Sequence, residues 1–317
     1  MLRAREPQLL SNEKAQRMLD APSFEEAAKL LTDCGYPDMG QSRADEIEAL
    51  LAERRDAALA EMDSLAPDKA IVRAFRVKYD YHNVKAIVKG EAVGSDPARL
   101  LTAAGRVPAE KLLAAYQESR YVELPSELGR AMEEARSVLA RTANPQMADL
   151  LLDQACFGEM KEAAAEAACP FLEDYVRLLI DSTNLKSAVR TMRMHKDADF
   201  LQSVLLAGGS VSESRIAAAG DGEALAGLFQ NSKLAQAAAL GAEAAAGGRM
   251  TAFELACDNA VTAFLKDAKL VGFGPETLVA YLAAVEGEVT AVRMILTGRL
   301  AGIAPDTIRE RLRDLYA

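Results

Sequence analysis

The sequence predicts an all-α fold, on three observations. Hydrophobic residues make up 50% of the chain but aromatics only 5%, and the abundance of Ala, Leu, Glu and Arg favours helices. Apolar residues recur at i, i+3 and i+4, as in Val84, Ile87 and Val88 or Leu185, Ala188 and Val189. No sustained run alternates apolar with polar, and no Asn-Gly or Asp-Gly turn joins two apolar runs as a hairpin would.

A long-period repeat organises these helices. Asp80-Tyr81-His82-Asn83-Val84-Lys85-Ala86-Ile87-Val88 returns as Asp181-Ser182-Thr183-Asn184-Leu185-Lys186-Ser187-Ala188-Val189, and Glu288-Val289-Thr290-Ala291-Val292-Arg293 is a worn third copy. The steps from Asn83 to Asn184 to Glu288 are 101 and 104 residues. A solenoid unit has roughly 20–50 residues, whereas a period near 100 is the size of a small domain. The sequence thus divides into three tandem helical domains, 1–106, 107–210 and 211–317, related by pseudo-threefold geometry.

The elements follow in order. Before the first repeat, Ser23-Phe24-Glu25-Glu26 is a capping box that opens a short helix stopping at Gly35. A helix with the stripe Ile47, Leu50, Leu51, Ala58, Met62 and Leu65 precedes the first motif. Leu151, Leu152, Ala155, Met160 and Ala163 precede the second; Phe253, Ala256, Cys257, Ala260 and Phe264 precede the third. The motif itself lies in the C-terminal half of a long helix that Pro67, Pro170 or Pro275 opens, 16, 14 or 13 residues upstream. Proline suits a first helical position because its missing N–H has no partner there. Gly90 and Gly298 are the expected left-handed ends of the first and third long helices, and the second fades into Met194-His195-Lys196. Each long helix is then about 35 Å long. Gly274 caps the third. Leu100 to Val107 matches Leu205 to Val211, and a further helix starts at Pro108 or at Ser212. The third copy abbreviates this part to Gly302-Ile303-Ala304-Pro305-Asp306 and a terminal helix ending at Leu315-Tyr316.

Bulk properties exclude several classes of function. A net charge of −10 and a pI near 5.0 have the wrong sign for tracking phosphates or an anionic membrane. No run of eighteen or more uncharged apolar residues would span a bilayer, and Met1 to Glu6 lacks the apolar core of a secretory signal. Cys34, Cys156, Cys169 and Cys257 are scattered, which suits a reducing cytoplasm better than a disulfide frame.

The recurring polar residues Asp80, Asn83, Lys85 and Asp181, Asn184, Lys186 are the candidate site, read here as a repeat-packing motif. Asn is a mediocre helix former, so its recurrence points to hydrogen bonds with neighbouring backbone. His82 and His195 have no second ligand at metal spacing. Gly272-Phe273-Gly274 lacks the rest of a nucleotide fingerprint, and P-loop, nucleophile-elbow and zincin motifs are missing. Glu25-Glu26 and Glu133-Glu134 read as solvated faces. No catalytic, cofactor or metal residue is assigned, and neither nucleic acid nor a small-molecule substrate is expected.

Tyr79-Asp80-Tyr81-His82-Asn83-Val84-Lys85, Ile180 to Lys186, Phe273-Gly274-Pro275-Glu276 and Ile308-Arg309-Glu310-Arg311-Leu312-Arg313 resemble the C subunit of prokaryotic V-type (A/V-type) ATPases, the family of the eukaryotic V-ATPase d subunit. The resemblance runs over essentially the whole chain. It implies three similar helical domains in a pseudo-threefold funnel, and a non-catalytic subunit that joins the proteolipid (c/K) ring to the D and F subunits of the central stalk. Such a protein transmits torque in ATP-linked proton or sodium transport, in the cytoplasm, peripheral to the inner face of the cell membrane. The family's first helix is longer than the stretch from Leu2 to Pro7 allows, and the third repeat lacks the Asn/Lys pair. The alternative is an all-helical scaffold or adaptor of another assembly; an isoprenoid-type enzyme would need an Asp-Asp-x-x-Asp motif that the chain lacks.

Overall fold

Three long helices form the centre of the molecule. In the computed structural model, which describes residues 2–317, they are α4 (Lys69–Val93), α8 (Pro170–Arg193) and α14 (Pro275–Leu300). Around them, in chain order, lie α1 (Asn12–Asp20), α2 (Phe24–Lys29) and α3 (Ala44–Leu65). Between α4 and α8 come α5 (Ala109–Gln117), α6 (Ser126–Thr142) and α7 (Pro145–Glu166). Between α8 and α14 come α9 (Ala198–Val204), α10 (Glu213–Ala217), α11 (Gly222–Phe229), α12 (Ala235–Ala245) and α13 (Met250–Lys266). The short α15 (Pro305–Arg309) follows α14. No strand occurs among the described residues, so the fold is all-α.

The long helices run side by side in one direction, because residues near their starts lie together, Ile71 of α4 sharing a hollow with Pro275 and Leu278 of α14, and residues at matching heights touch. Phe75 of α4 stacks on Tyr175 of α8 at 5.9 Å, and Tyr79 of α4 donates to Glu286 of α14 at 2.7 Å. They are buried on more than one face. From Thr277 to Val285 every residue of α14 is buried, which a simple amphipathic stripe does not describe. Each long helix has an antiparallel partner in the helix that leads into another long helix. α4 packs along α7, which leads into α8; α8 packs along α13, which leads into α14; α14 packs along α3, which leads into α4. The pairing closes on itself. The remaining helices fill in locally: α5 on α4, α6 on α4 and α7, α9 and α10 on α8, α12 on α8 and α13 with α11 behind it, and α1, α2 and α15 on α14.

Several local expectations need correction. Pro67 does not open α4: Asp68 is the N-cap, its carboxylate accepting from the Ala70 N–H at 2.8 Å, and the helix starts at Lys69. Gly90 and Gly298 lie inside their helices, which extend to the left-handed residues Gly94 (φ 66°) and Gly302 (φ 69°). The second long helix has the same cap, made by His195 at φ 52°. In each case an N–H one residue past the left-handed position donates five residues back, Ser95 to Gly90, Lys196 to Thr191 and Ile303 to Gly298, the Schellman pattern. The terminal helix ends at Arg309, and Leu315 and Tyr316 are buried in a segment without helix. At the other end of the chain, Leu2–Ala4 and Glu6–Gln8 are single 3₁₀ turns, and the first α-helix is α1.

Candidate functional site

The three C-caps set the register of the repeat. Gly94, His195 and Gly302 are 101 and 107 residues apart. Counting back from them, Asp80 and Asp181 correspond to Glu288, Asn83 and Asn184 to Ala291, and Lys85 and Lys186 to Arg293. The sequence had placed Glu288 opposite the asparagines, a slip of three residues. Residues three apart share a helix face, so the apolar pattern looks nearly the same in both registers. The buried carboxylate is therefore common to all three copies: Asp80, Asp181 and Glu288 are 0%, 4% and 1% exposed.

Each carboxylate organises a segment that crosses its long helix. Asp80 accepts from the N–H groups of Arg106 and Val107 at 2.8 and 3.1 Å and from the Arg106 guanidinium at 2.5 Å; Arg106 also reaches Glu159 of α7 at 2.7 Å. Burial pushes the Asp80 carboxyl above its ordinary value, against the pull of Arg106 and the backbone donors. Asp181 accepts from the Ser210 N–H at 2.8 Å and its hydroxyl at 2.6 Å, and burial raises it likewise. A Cβ on Gly105 or Gly209 would collide with these carboxylates, so both turns require glycine. In the third copy the chain start takes the role of that turn. Glu288 accepts from the Leu10 N–H at 2.6 Å, the Tyr36 hydroxyl at 2.8 Å and Arg54 of α3 at 3.3 Å.

The asparagines act as two-point backbone clamps. Asn83 donates to Thr102 O and accepts from Thr102 N at 2.9 and 2.8 Å; Asn184 does the same to Leu206, at 2.8 Å both ways. The basic residues reach across to the antiparallel partner. Lys85 pairs with Asp153 and Lys89 with Asp149 of α7, Lys186 with Asp258 and Arg190 with Glu254 of α13, Arg293 with Glu48 of α3. All six candidate residues are engaged in holding helices and turns in place. His82 contacts Leu100 O at 2.9 Å, His195 forms the helix cap, and no cluster of three metal-ligating side chains exists among the described residues. Sequence reasoning missed Arg106, Glu159, Arg54 and Glu286; only Arg106 had a signal, since it follows Gly105 in the matched segment before Val107.

Two further features lie on the same framework. A cleft of about 530 Å³ opens where the long helices meet, lined by Tyr79 of α4, Tyr175 and Thr183 of α8 and Glu286 and Thr290 of α14. Lys78 and Tyr79 both hold Glu286 there, and burial together with that carboxylate pushes the Tyr79 hydroxyl far up. Exposed apolar residues gather at the ends of the long helices. Phe273, 94% exposed, lines a hollow of about 680 Å³ at the start of α14 together with Leu65 and Ile71, and Leu270, 90% exposed, lies on the turn that leads into it. Val93, Met194 and Ile303 flank the three C-caps. No helix among the described residues is long and apolar enough to cross a membrane.

The V-type sodium ATPase C subunit of Enterococcus hirae is 24% identical over 319 residues, covering 100% of this chain and 97% of its own. The A-type ATP synthase C subunit of Methanocaldococcus jannaschii is 24% identical over 340 residues, covering 99% and 85%. The V-type ATP synthase C subunit of Thermus thermophilus is 28% identical over 215 residues, covering 63% and 65%. The family model for the ATP synthase (C/AC39) subunit matches residues 1–311. The chain belongs to the ATP synthase (C/AC39) subunit family, and is a non-catalytic subunit of the V/A-type ATPases.

Proposed function

We propose that this protein couples the central stalk to the proteolipid ring and carries torque between them, on the cytoplasmic face of the membrane, with the ring at one end and the D and F subunits of the stalk at the other. The observation that supports the reading best is the circular pairing of α4 with α7, α8 with α13 and α14 with α3. A twist applied at one end of the long helices has to shear all three antiparallel pairs at once. Close-packed interiors have low compressibility and resist such shear. The two sets of exposed apolar residues, Leu270 and Phe273 against Val93, Met194 and Ile303, give the body two ends at which to dock.

The same pairing supports three modules that each begin with a long helix: 67–168, 169–270, and 271–317 completed by 1–66. In this division every motif residue bonds within its own module, as Lys85 does to Asp153 and Arg293 to Glu48. The arrangement accounts for a funnel about a pseudo-threefold axis more simply than boundaries at 106 and 210, which would separate α4 from α7.

The test is capture from a detergent extract of the host membranes with the tagged protein. Recovery of the proteolipid together with D and F supports the reading, and recovery of unrelated soluble partners alone supports the adaptor. The acidity of the chain fits basic partner surfaces, so binding to the isolated stalk or ring weakens with salt; salt-independent binding overturns that electrostatic part.

A further inference from the structure

Away from the centre of the molecule, α6 and α7 pack against each other and leave an open groove of about 490 Å³ between them. Its floor is apolar. Val138 of α6 and Leu150, Leu151, Ala155 and Gly158 of α7 line it, with the exposed Met147 at one end. From Met147 to Gly158 this floor runs for about 16 Å, or three helical turns. Four glutamates, at 127, 134, 159 and 162, line the groove against a single arginine, Arg130.

Two of these carboxylates serve the fold. Glu127 pairs with Arg130, and Glu159 accepts from Tyr81 and Arg106, both at 2.7 Å. Glu134 and Glu162 are exposed and have neither an ion pair nor a side-chain hydrogen bond among the described residues. Gly158 is a separate observation. A glycine inside a helix costs about 0.5–1 kcal/mol relative to alanine, yet no atom of the protein would meet a Cβ at this position. The bare backbone serves no packing within the molecule, whereas it lets something from outside come close.

The second module lacks both features. Asp153 and Asp258 hold the equivalent lysines Lys85 and Lys186, so Gly158 corresponds to Ala263 and Glu162 to Asp267. Asp267 is paired with Lys233 at 3.0 Å. A feature that only maintained the repeat would recur in it.

We propose that the α6–α7 groove docks a basic amphipathic helix of a partner protein. The apolar side of that helix lies on the floor from Leu150 to Gly158, and its lysines or arginines face Glu134 and Glu162. A groove between two helices takes a third through anchors spaced i, i+3, i+4 and i+7. The acidic rim selects the sign of the partner and sets its orientation. The same rim repels nucleic acid and an anionic membrane. The coupling function proposed above is not needed for this inference.

The test uses the full chain and a fluorescein-labelled probe peptide, leucine and lysine in an amphipathic helical pattern, about sixteen residues long so as to fill the groove. Binding is followed by fluorescence anisotropy. A peptide of the same composition in scrambled order measures the effect of charge alone. Saturable one-to-one binding is expected for the first peptide, and binding about tenfold weaker or less for the second. Gly158→Leu fills the floor, and Glu134→Lys with Glu162→Lys reverses the rim; each weakens the first peptide by about tenfold or more. Glu53→Lys with Glu243→Lys makes the same change in net charge on exposed positions of α3 and α12, and leaves the affinity within about twofold. Circular dichroism melts follow the fold of every variant, and the floor and rim variants test the groove independently. No binding of the first peptide, equal binding of the scrambled one, an equal loss in the Glu53 and Glu243 control, or undiminished binding to Gly158→Leu overturns the proposal. A failure to capture the ring or the stalk would leave it standing.

Discussion

Removing the second asparagine clamp should cost more than removing the first, and the difference follows from what each leaves behind. Asn184→Ala deletes two hydrogen bonds of 2.8 Å and leaves the N–H and carbonyl of Leu206 without partners. Leu206 is 2% exposed, so water cannot replace them. Each buried group left unpaired costs about 1–3 kcal/mol, and the better helix propensity of Ala returns about 0.6 kcal/mol. The net loss is about 3 kcal/mol. Asn83→Ala deletes the same pair of bonds to Thr102, which is only half-buried and can be rehydrated. Its net loss is about 1–1.5 kcal/mol. In a chain of this size, at about 2 °C per kcal/mol, Tm falls by about 6 °C for Asn184→Ala and about 2–3 °C for Asn83→Ala. Urea titrations of both variants, with unchanged m-values, are the assay. Two losses under about 0.5 kcal/mol, or a larger loss at Asn83, would refute the clamp reasoning.

The other predictions concern the carboxylates, the caps, the ion pairs and the thiols. Asp80→Asn sets an amide donor against the Arg106 guanidinium and destabilises by about 3 kcal/mol, whereas in Asp181→Asn the Ser210 hydroxyl can turn to accept and the loss stays under about 1 kcal/mol; denaturant melts compare them. Burial raises Asp181 in the native state, so its contribution is complete below its unfolded value and falls as pH rises through the native one. Asp181→Asn lacks this dependence, and its stability relative to wild type improves as pH rises from acid to neutral. Gly suits a left-handed cap better than His, so His195→Gly stabilises by about 0.5–1 kcal/mol while Gly94→Ala and Gly302→Ala destabilise by about 1 kcal/mol, read from shifts in denaturation midpoint. The half-exposed pair Lys85–Asp153 gives a coupling energy under about 1 kcal/mol in a double-mutant cycle. Burial pushes the Cys156 and Cys257 thiols up to about 12, so neither reacts with a thiol reagent at pH 8 until the chain unfolds.

What could be read from the sequence was mostly local. Proline, glycine and helical periodicity located the three long helices to within a few residues, and the recurrence of Asp80, Asn83 and Lys85 at Asp181, Asn184 and Lys186 marked the same surface on two of them. The partners were not legible. Thr102 and Leu206 lie 19 and 22 residues beyond the asparagines that hold them, and nothing in either segment announces that its backbone needs a clamp. Arg54 and Glu286 sit on helices whose pairing is decided by packing between distant stretches, which periodicity does not encode. The ends of the long helices were misjudged for a related reason. Gly90 looks like a stop, but it is there because Ser95 and Pro97 press on the helix at that point; the residue that turns the chain in the second copy is a histidine. That substitution also hid the common register, and with it the equivalence of Glu288 to the two aspartates.

The central claim is that each module begins with a long helix and is completed by the helix leading into the next. Expressing residues 67–168 and residues 1–106 as separate chains, and following their urea unfolding by circular dichroism, tests it most directly. The account predicts a cooperative helical unit for 67–168, which keeps α4 with α7, and a weakly structured chain for 1–106, which parts α4 from α7 and α3 from α14. A stable 1–106 beside an unfolded 67–168 would contradict it.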